Sequence, residues 1–135
     1  MRTGVISLGD FTITAAGTQT GDWVEDFDGV VALCAQLRLA YGAGGTTIRA
    51  YLQTSLDGGT TIIDVACVLF TTASEVAVFN FSAMTPKTSQ ITPTDAALAD
   101  DSTIDGIVGD RYRIKTVSTG LYSGSTVLSA RVNPR

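Results

Sequence analysis

The fold turns on the stretch Tyr51-Leu52-Gln53-Thr54-Ser55-Leu56-Asp57-Gly58-Gly59-Thr60-Thr61-Ile62-Ile63-Asp64-Val65. It reads as two β-strands joined by a tight, glycine-bearing turn. Upstream, Ile48, Ala50 and Leu52 alternate with Thr47, Arg49, Tyr51 and Gln53, the period of two of a strand with one buried face. Downstream, Val65, Cys67 and Leu69 alternate with Asp64, Ala66, Val68 and Phe70. That strand is apolar on both sides, which predicts a central position covered above and below. Asp57-Gly58 is a favoured hairpin dipeptide because both residues tolerate positive φ. Ser55 and Asp57 can fold their side-chain oxygens back onto backbone N–H groups of the loop.

The spacing Ser55-x-Asp57-x-Gly59-x-Thr61 resembles the Asp-box, a structural hairpin motif found in sialidase-type propellers and elsewhere, with Ile62 in place of the motif's aromatic. One copy in 135 residues cannot build a propeller of about four to eight blades. Ser55, Asp57, Gly58, Gly59 and Thr61 are therefore expected to form a structural turn and not a catalytic site.

Working outward, 135 residues suit one domain, and 44% hydrophobic with 16% charged residues is the opposite of a disordered composition. The net charge of −4 disfavours a general nucleic-acid binder. Met1–Asp10 lacks the apolar run of a signal peptide, and no stretch approaches the roughly 20 apolar residues of a membrane helix. The expectation is a soluble chain made in the cytoplasm, with neither membrane nor nucleic acid as partner. The chain contains no histidine, so His-based triads and His-containing zinc sites do not arise. No cofactor is expected. Cys34 and Cys67 both fall in apolar strand patterns and read as buried, inert thiols.

Val5–Leu8 and Phe11–Ala15 read as two short strands separated by Gly9-Asp10. Asp22–Gly29 reads as an acidic loop anchored by Trp23 and Phe27. Its carboxylates Asp22, Glu25, Asp26 and Asp28 do not follow the spacing of a calcium loop and are expected in water. Val30–Tyr41, with Val31, Leu33, Ala35, Leu37, Leu39 and Tyr41 on one face, is the longest strand candidate. With Thr46–Thr54 and Ile62–Phe70 it predicts an antiparallel meander. Glu75–Phe81 adds a strand, and Lys87–Thr92 an edge strand between Pro86 and Pro93.

Asp95–Gly109 is the least regular region and holds Asp100, Asp101 and Asp105. A long loop in a compact domain is often contact-making, so it is a candidate partner-facing segment, mobile until bound, together with Met1–Gly9. In Asp110–Val117, Tyr112, Ile114 and Thr116 face one way. Arg111, Arg113 and Lys115 face the other, as an exposed stripe that either guards an edge or meets an acidic neighbour. Thr126–Val132 closes the domain. The architecture expected is a single-domain, all-β antiparallel sandwich over residues 1–135, of jelly-roll or Greek-key type.

Leu39-Ala40-Tyr41-Gly42-Ala43-Gly44-Gly45-Thr46-Thr47 and the hairpin that follows are similar to small virion proteins encoded among the head and tail genes of tailed bacteriophages and prophages. So are Thr92–Asp101 and Gly106–Arg113. The resemblance covers about residues 30–130. It implies a virion structural protein without catalytic residues, first of all a capsid decoration (cement) protein. Its partners would be the major capsid protein or other virion proteins, with many copies per particle or a homo-oligomer. A tail, connector or fibre-attachment module is the alternative inside the virion. Outside it stands a carbohydrate-binding sandwich using Trp23, Tyr41, Tyr51, Tyr112 and Tyr122 as a platform.

Overall fold

In the computed structural model, residues 4–135 are described. The strands β1 (Ile6–Thr12), β3 (Ala32–Ala40), β7 (Glu75–Ser82) and β11 (Val127–Pro134) form one sheet in the order β1-β11-β3-β7. A second sheet runs β2-β9-β5-β6-β8, built from β2 (Gly17–Thr20), β5 (Thr47–Thr54), β6 (Ile63–Phe70), β8 (Ser102–Thr103) and β9 (Tyr112–Thr119). A two-residue ribbon of β4 (Ala43–Gly44) and β10 (Tyr122–Ser123) sits beside them. Every pairing is antiparallel. The chain is an all-β sandwich, as its alternating pattern predicts.

The core follows from that alternation. From one sheet come Leu33, Ala35, Leu37, Leu39, Leu128, Ala130 and Val132; from the other come Ile48, Ala50, Leu52, Phe70 and Ile114, all essentially without exposed surface. Phe27 and Tyr112 meet edge to face at 5.1 Å, which anchors the Asp22–Gly29 loop against β9. Val24 bridges to Tyr112 in the same loop. Trp23 is only half-buried.

Several expectations change. The meander stops at two strands: β5 pairs with β6, but β3 lies in the opposite sheet between β11 and β7. The glycine-rich link Gly42–Gly45 crosses the sandwich instead of turning back in plane. Its residues form the ribbon with β10, where Gly44 has φ 72° and a Cβ on Gly45 would strike the Tyr122 ring. Gly9-Asp10 does not separate two strands either. The register shifts between Ser7 and Gly9, so β1 absorbs the glycine as a bulge and continues. Lys87–Thr92 is not a strand, and Val31 is exposed beyond the end of β3.

Cys34 is exposed, whereas Cys67 is buried. Cys34 has the parity of Gln36 and Arg38 and so points away from the core. An apolar neighbourhood in sequence does not determine which of two faces a strand residue takes.

Candidate functional site

The hairpin between β5 and β6 spans Ser55–Ile62, longer than a two-residue turn. Buried Ser55 organises it. Its Oγ donates to Asp57 Oδ1 at 2.9 Å and accepts from the Gly59 amide at 2.9 Å, while the Thr61 amide donates to Asp57 Oδ1 at 2.7 Å. Thr61 holds the Asp57 carboxyl below its ordinary value, with Ser55 adding a smaller effect. Gly58 and Gly59 take φ of 75° and 96°. A Cβ on Gly59 would lie 3.0 Å from Trp23 Nε1. The structural-turn residues thus form a staple locked against the acidic loop.

The basic stripe lies on the outer face of the five-stranded sheet, where the chain's own acids meet it. Arg111 donates to Asp110 at 3.0 Å and Glu25 at 2.9 Å, and reaches the Gly58 carbonyl at 3.3 Å. Arg113 donates to Gln53 Oε1 at 2.9 Å and stands over the Trp23 ring at 4.4 Å. Lys115 donates to Asp95 Oδ1 at 2.9 Å, which lowers the Asp95 pKa. The side chains of Arg111 and Lys115 are only 18% and 19% exposed. A charge row that looks free in sequence is thus internally paired.

Next to the stripe a buried polar network closes the sheet. A register shift after Leu52 brings Gln53 opposite Asp64. Gln53 Nε2 donates to Asp64 Oδ1 and Asp95 Oδ1, both at 2.8 Å. Asp64 also accepts from the Thr94 hydroxyl and from the amides of Ala96, Ala97 and Leu98. Ala96 pays for this geometry with a left-handed φ of 61°. Asp64 therefore gathers the 94–98 segment into a nest of donors around one carboxylate.

The Asp95–Gly109 segment lies across β6 as a cover. Asp100 pairs bidentately with Arg49 at 2.7 and 3.1 Å. Asp101 accepts from the Leu69 amide, and Asp105 accepts from the Ser82 amide and the Thr85 hydroxyl. Two residues of the segment, β8, extend the ladder of β6. The pKa values of Asp100 and Asp105 are lowered, the first chiefly by Arg49 and the second chiefly by the Ser82 amide. The candidate contacts Asp100, Asp101, Asp105, Arg111, Arg113 and Lys115 are thus all engaged within the chain. Of Met1–Gly9, residues 1–3 lie outside the described residues, and β1 begins at Ile6.

The aromatics do not form a platform. Tyr51, Tyr112 and Tyr122 are buried, and Tyr41 donates its hydroxyl to the Gly44 carbonyl and packs edge-on against Tyr122. Trp23 carries Arg113 on its face. Among the described residues no group of three or more Cys, Asp or Glu is placed to hold a metal ion. No helix among them is long and apolar enough to cross a membrane.

The two outer faces differ. That of the five-stranded sheet is covered by the chain's own loop and ion pairs. That of the four-stranded sheet has no covering loop among the described residues, and on it Arg131 donates to Asp10 at 3.1 Å. It carries exposed Val5, Cys34, Val76 and Val78, with a shallow hollow of about 280 Å³ between Val5, Cys34, Gln36, Val78 and Arg131. Sequence reading missed this surface, because its residues come from β3, β7 and the position just before β1, far apart in the chain. Comparison with protein-family models, with curated proteins and with solved structures finds no match.

Proposed function

We propose that this chain is a structural protein of a tailed-bacteriophage particle, a capsid decoration protein that binds the assembled shell from outside. It is made in the host cytoplasm and ends in the virion. The reading rests on the resemblance of residues 30–130 to small virion proteins. One observation carries it further: among the described residues, the sandwich covers one outer face with its own loop and lays none over the other, the bare face, where Val5, Cys34, Val76 and Val78 are exposed. Exposed apolar side chains grouped on one face suit protein contact. The bare face meets the shell, and the loop-covered face turns to solvent. Binding to the assembled shell and not to free subunits would stabilise the particle by mass action.

The test is co-sedimentation of the purified chain with undecorated particles. Wild type binds at hundreds of copies per particle, a rough figure that follows from the symmetry of such shells. Cys34→Lys, which places a charge in the centre of the bare face, binds at least ten-fold more weakly. Ala99→Lys, at an exposed position of the loop on the covered face, leaves binding unchanged. A stoichiometry of about six to a few dozen would instead place the chain in a tail or connector. Binding indifferent to Cys34→Lys would remove the bare face from the contact.

A further inference from the structure

The four-stranded sheet ends on β7, and its edge differs from the other strand edges. β1 is interrupted by its bulge, β2 is four residues long, and β8 is two. β7 runs eight residues without a bulge, a proline or a basic residue. Natural proteins usually blunt such edges by these devices.

The groups left open on β7 follow from the register. The Ala83 amide donates to the Val31 carbonyl at 2.8 Å, and β7 pairs Phe81 with Leu33, Phe79 with Ala35 and Ala77 with Leu37. Antiparallel partners alternate between bonded and non-bonded pairs, so the odd-numbered residues of β7 bond to β3. The even-numbered ones turn N–H and C=O outward. The same parity holds on the far side of β3, where Ala32 and Arg135 exchange both bonds. At the C-terminal end of the edge, Asp105 Oδ1 takes the Ser82 amide at 2.7 Å. Among the described residues the open span is therefore Val76, Val78 and Asn80, with Val78 at its centre. Val76 is 53% exposed and Val78 70%.

We propose that this edge is the self-association surface of the protein: β7 pairs antiparallel with β7 of a second copy about a two-fold axis at Val78. This pairing sets Val78 against its own copy and Val76 against Asn80, so that the three open residues on each chain exchange about six main-chain hydrogen bonds. It joins two four-stranded sheets into one of eight strands. It sets no like charges opposite each other, because the one ionisable residue of β7, Glu75, falls opposite Phe81. A second copy suits the span because the two-fold pairing places apolar Val78 on apolar Val78 and closes on itself as an isologous dimer. The half-buried Ala77 and Phe79, which line the open side of the sandwich with Val68 and Thr103, are covered by the same residues of the partner. A single edge is small beside the roughly 800 Å² per partner of a standard interface, so the dimer is concentration-dependent. The inference does not depend on the virion reading.

The experiment uses the whole chain. Sedimentation velocity over rising concentration shows wild type passing from monomer to dimer, and Val78→Lys shifts the midpoint at least ten-fold upward without changing the far-UV spectrum. Cross-linking reads the register. In a Cys34→Ser background, Val78→Cys places two thiols across the axis at a Cα separation of about 5.5 Å, within disulfide reach. Asn80→Cys places them about 14 Å apart. Mild oxidation gives a covalent dimer with the first and monomer with the second. A wild type that stays monomeric at every concentration, or equal cross-linking at both positions, overturns the proposal. So does a partner found on this edge that is not a second copy. Failure here leaves shell binding through Cys34 untouched, and failure there leaves this dimer untouched.

Discussion

Gln53 Nε2 donates to Asp64 Oδ1 at 2.8 Å, and neither residue exposes any surface. A buried polar pair is costly unless every group is satisfied. Here Asp64 is supplied by Gln53, Thr94 and three successive amides. The pair fastens the 94–98 segment to the sheet, so the cover of β6 depends on one carboxylate.

Asp64→Ala is expected to destabilise the protein by about 3 kcal/mol, since several buried donors lose their acceptor at about 1–3 kcal/mol each and the segment relaxes toward water. Urea unfolding measures the loss. Hydrogen exchange at Ala96, Ala97 and Leu98 should accelerate far more than in β3. Uniform acceleration across both sheets would show that the segment is not held by Asp64 in particular.

Gly59→Val is expected to cost about 1–3 kcal/mol, because φ of 96° is strained for a β-branched residue and its Cβ meets Trp23. At about 3–6 °C per kcal/mol, the melting temperature falls measurably. Gly58→Ala has open space around its Cβ and only the φ penalty, so its loss is smaller. The Trp23 fluorescence maximum should move in the first variant and not in the second.

Stability should fall at both ends of the pH scale. Asp95, Asp100 and Asp105 are held below the ordinary 3.8 in the folded chain. Their contribution is complete above that value and lost as pH drops through the lowered folded values, where the unfolded state binds more protons. At the alkaline end, burial first of all pushes the Cys67 thiol from 9.0 to about 11 and the Tyr51 and Tyr112 hydroxyls from 10.0 to about 12. The unfolded chain then loses these protons first, and stability declines from about pH 9 upward. Urea midpoints from pH 2.5 to 11 should trace a plateau between these limbs; a slope through pH 6–8 would contradict the assignment.

Native protein should expose one fast-reacting thiol. Cys34 lies on the bare face, while Cys67 is buried beside Asp100 and Tyr51. A disulfide-exchange reagent should label one equivalent rapidly and the second only in denaturant, and Cys34→Ser should abolish the fast phase. Two fast equivalents would mean that the 95–109 cover opens readily.

The class of fold was legible in the chain before any tertiary contact. Alternation in Ile48–Leu52, Tyr112–Thr116 and Leu33–Leu39 can only be satisfied by strands with one buried face, and Ser55, Asp57, Gly59 and Thr61 can close their staple locally. Strand adjacency was beyond its reach: β3 looks like the neighbour of β5 along the chain, yet crosses to the other sheet because its bonding partners arrive from residues 75–82 and 127–134. The same holds for the charges. Arg111, Arg113 and Lys115 show their common face in the sequence, but their partners Glu25, Gln53 and Asp95 come from other parts of the chain. Period two determines that neighbours in sequence face apart. Which face is covered, and by what, is decided by long-range contacts that only the folded chain brings together.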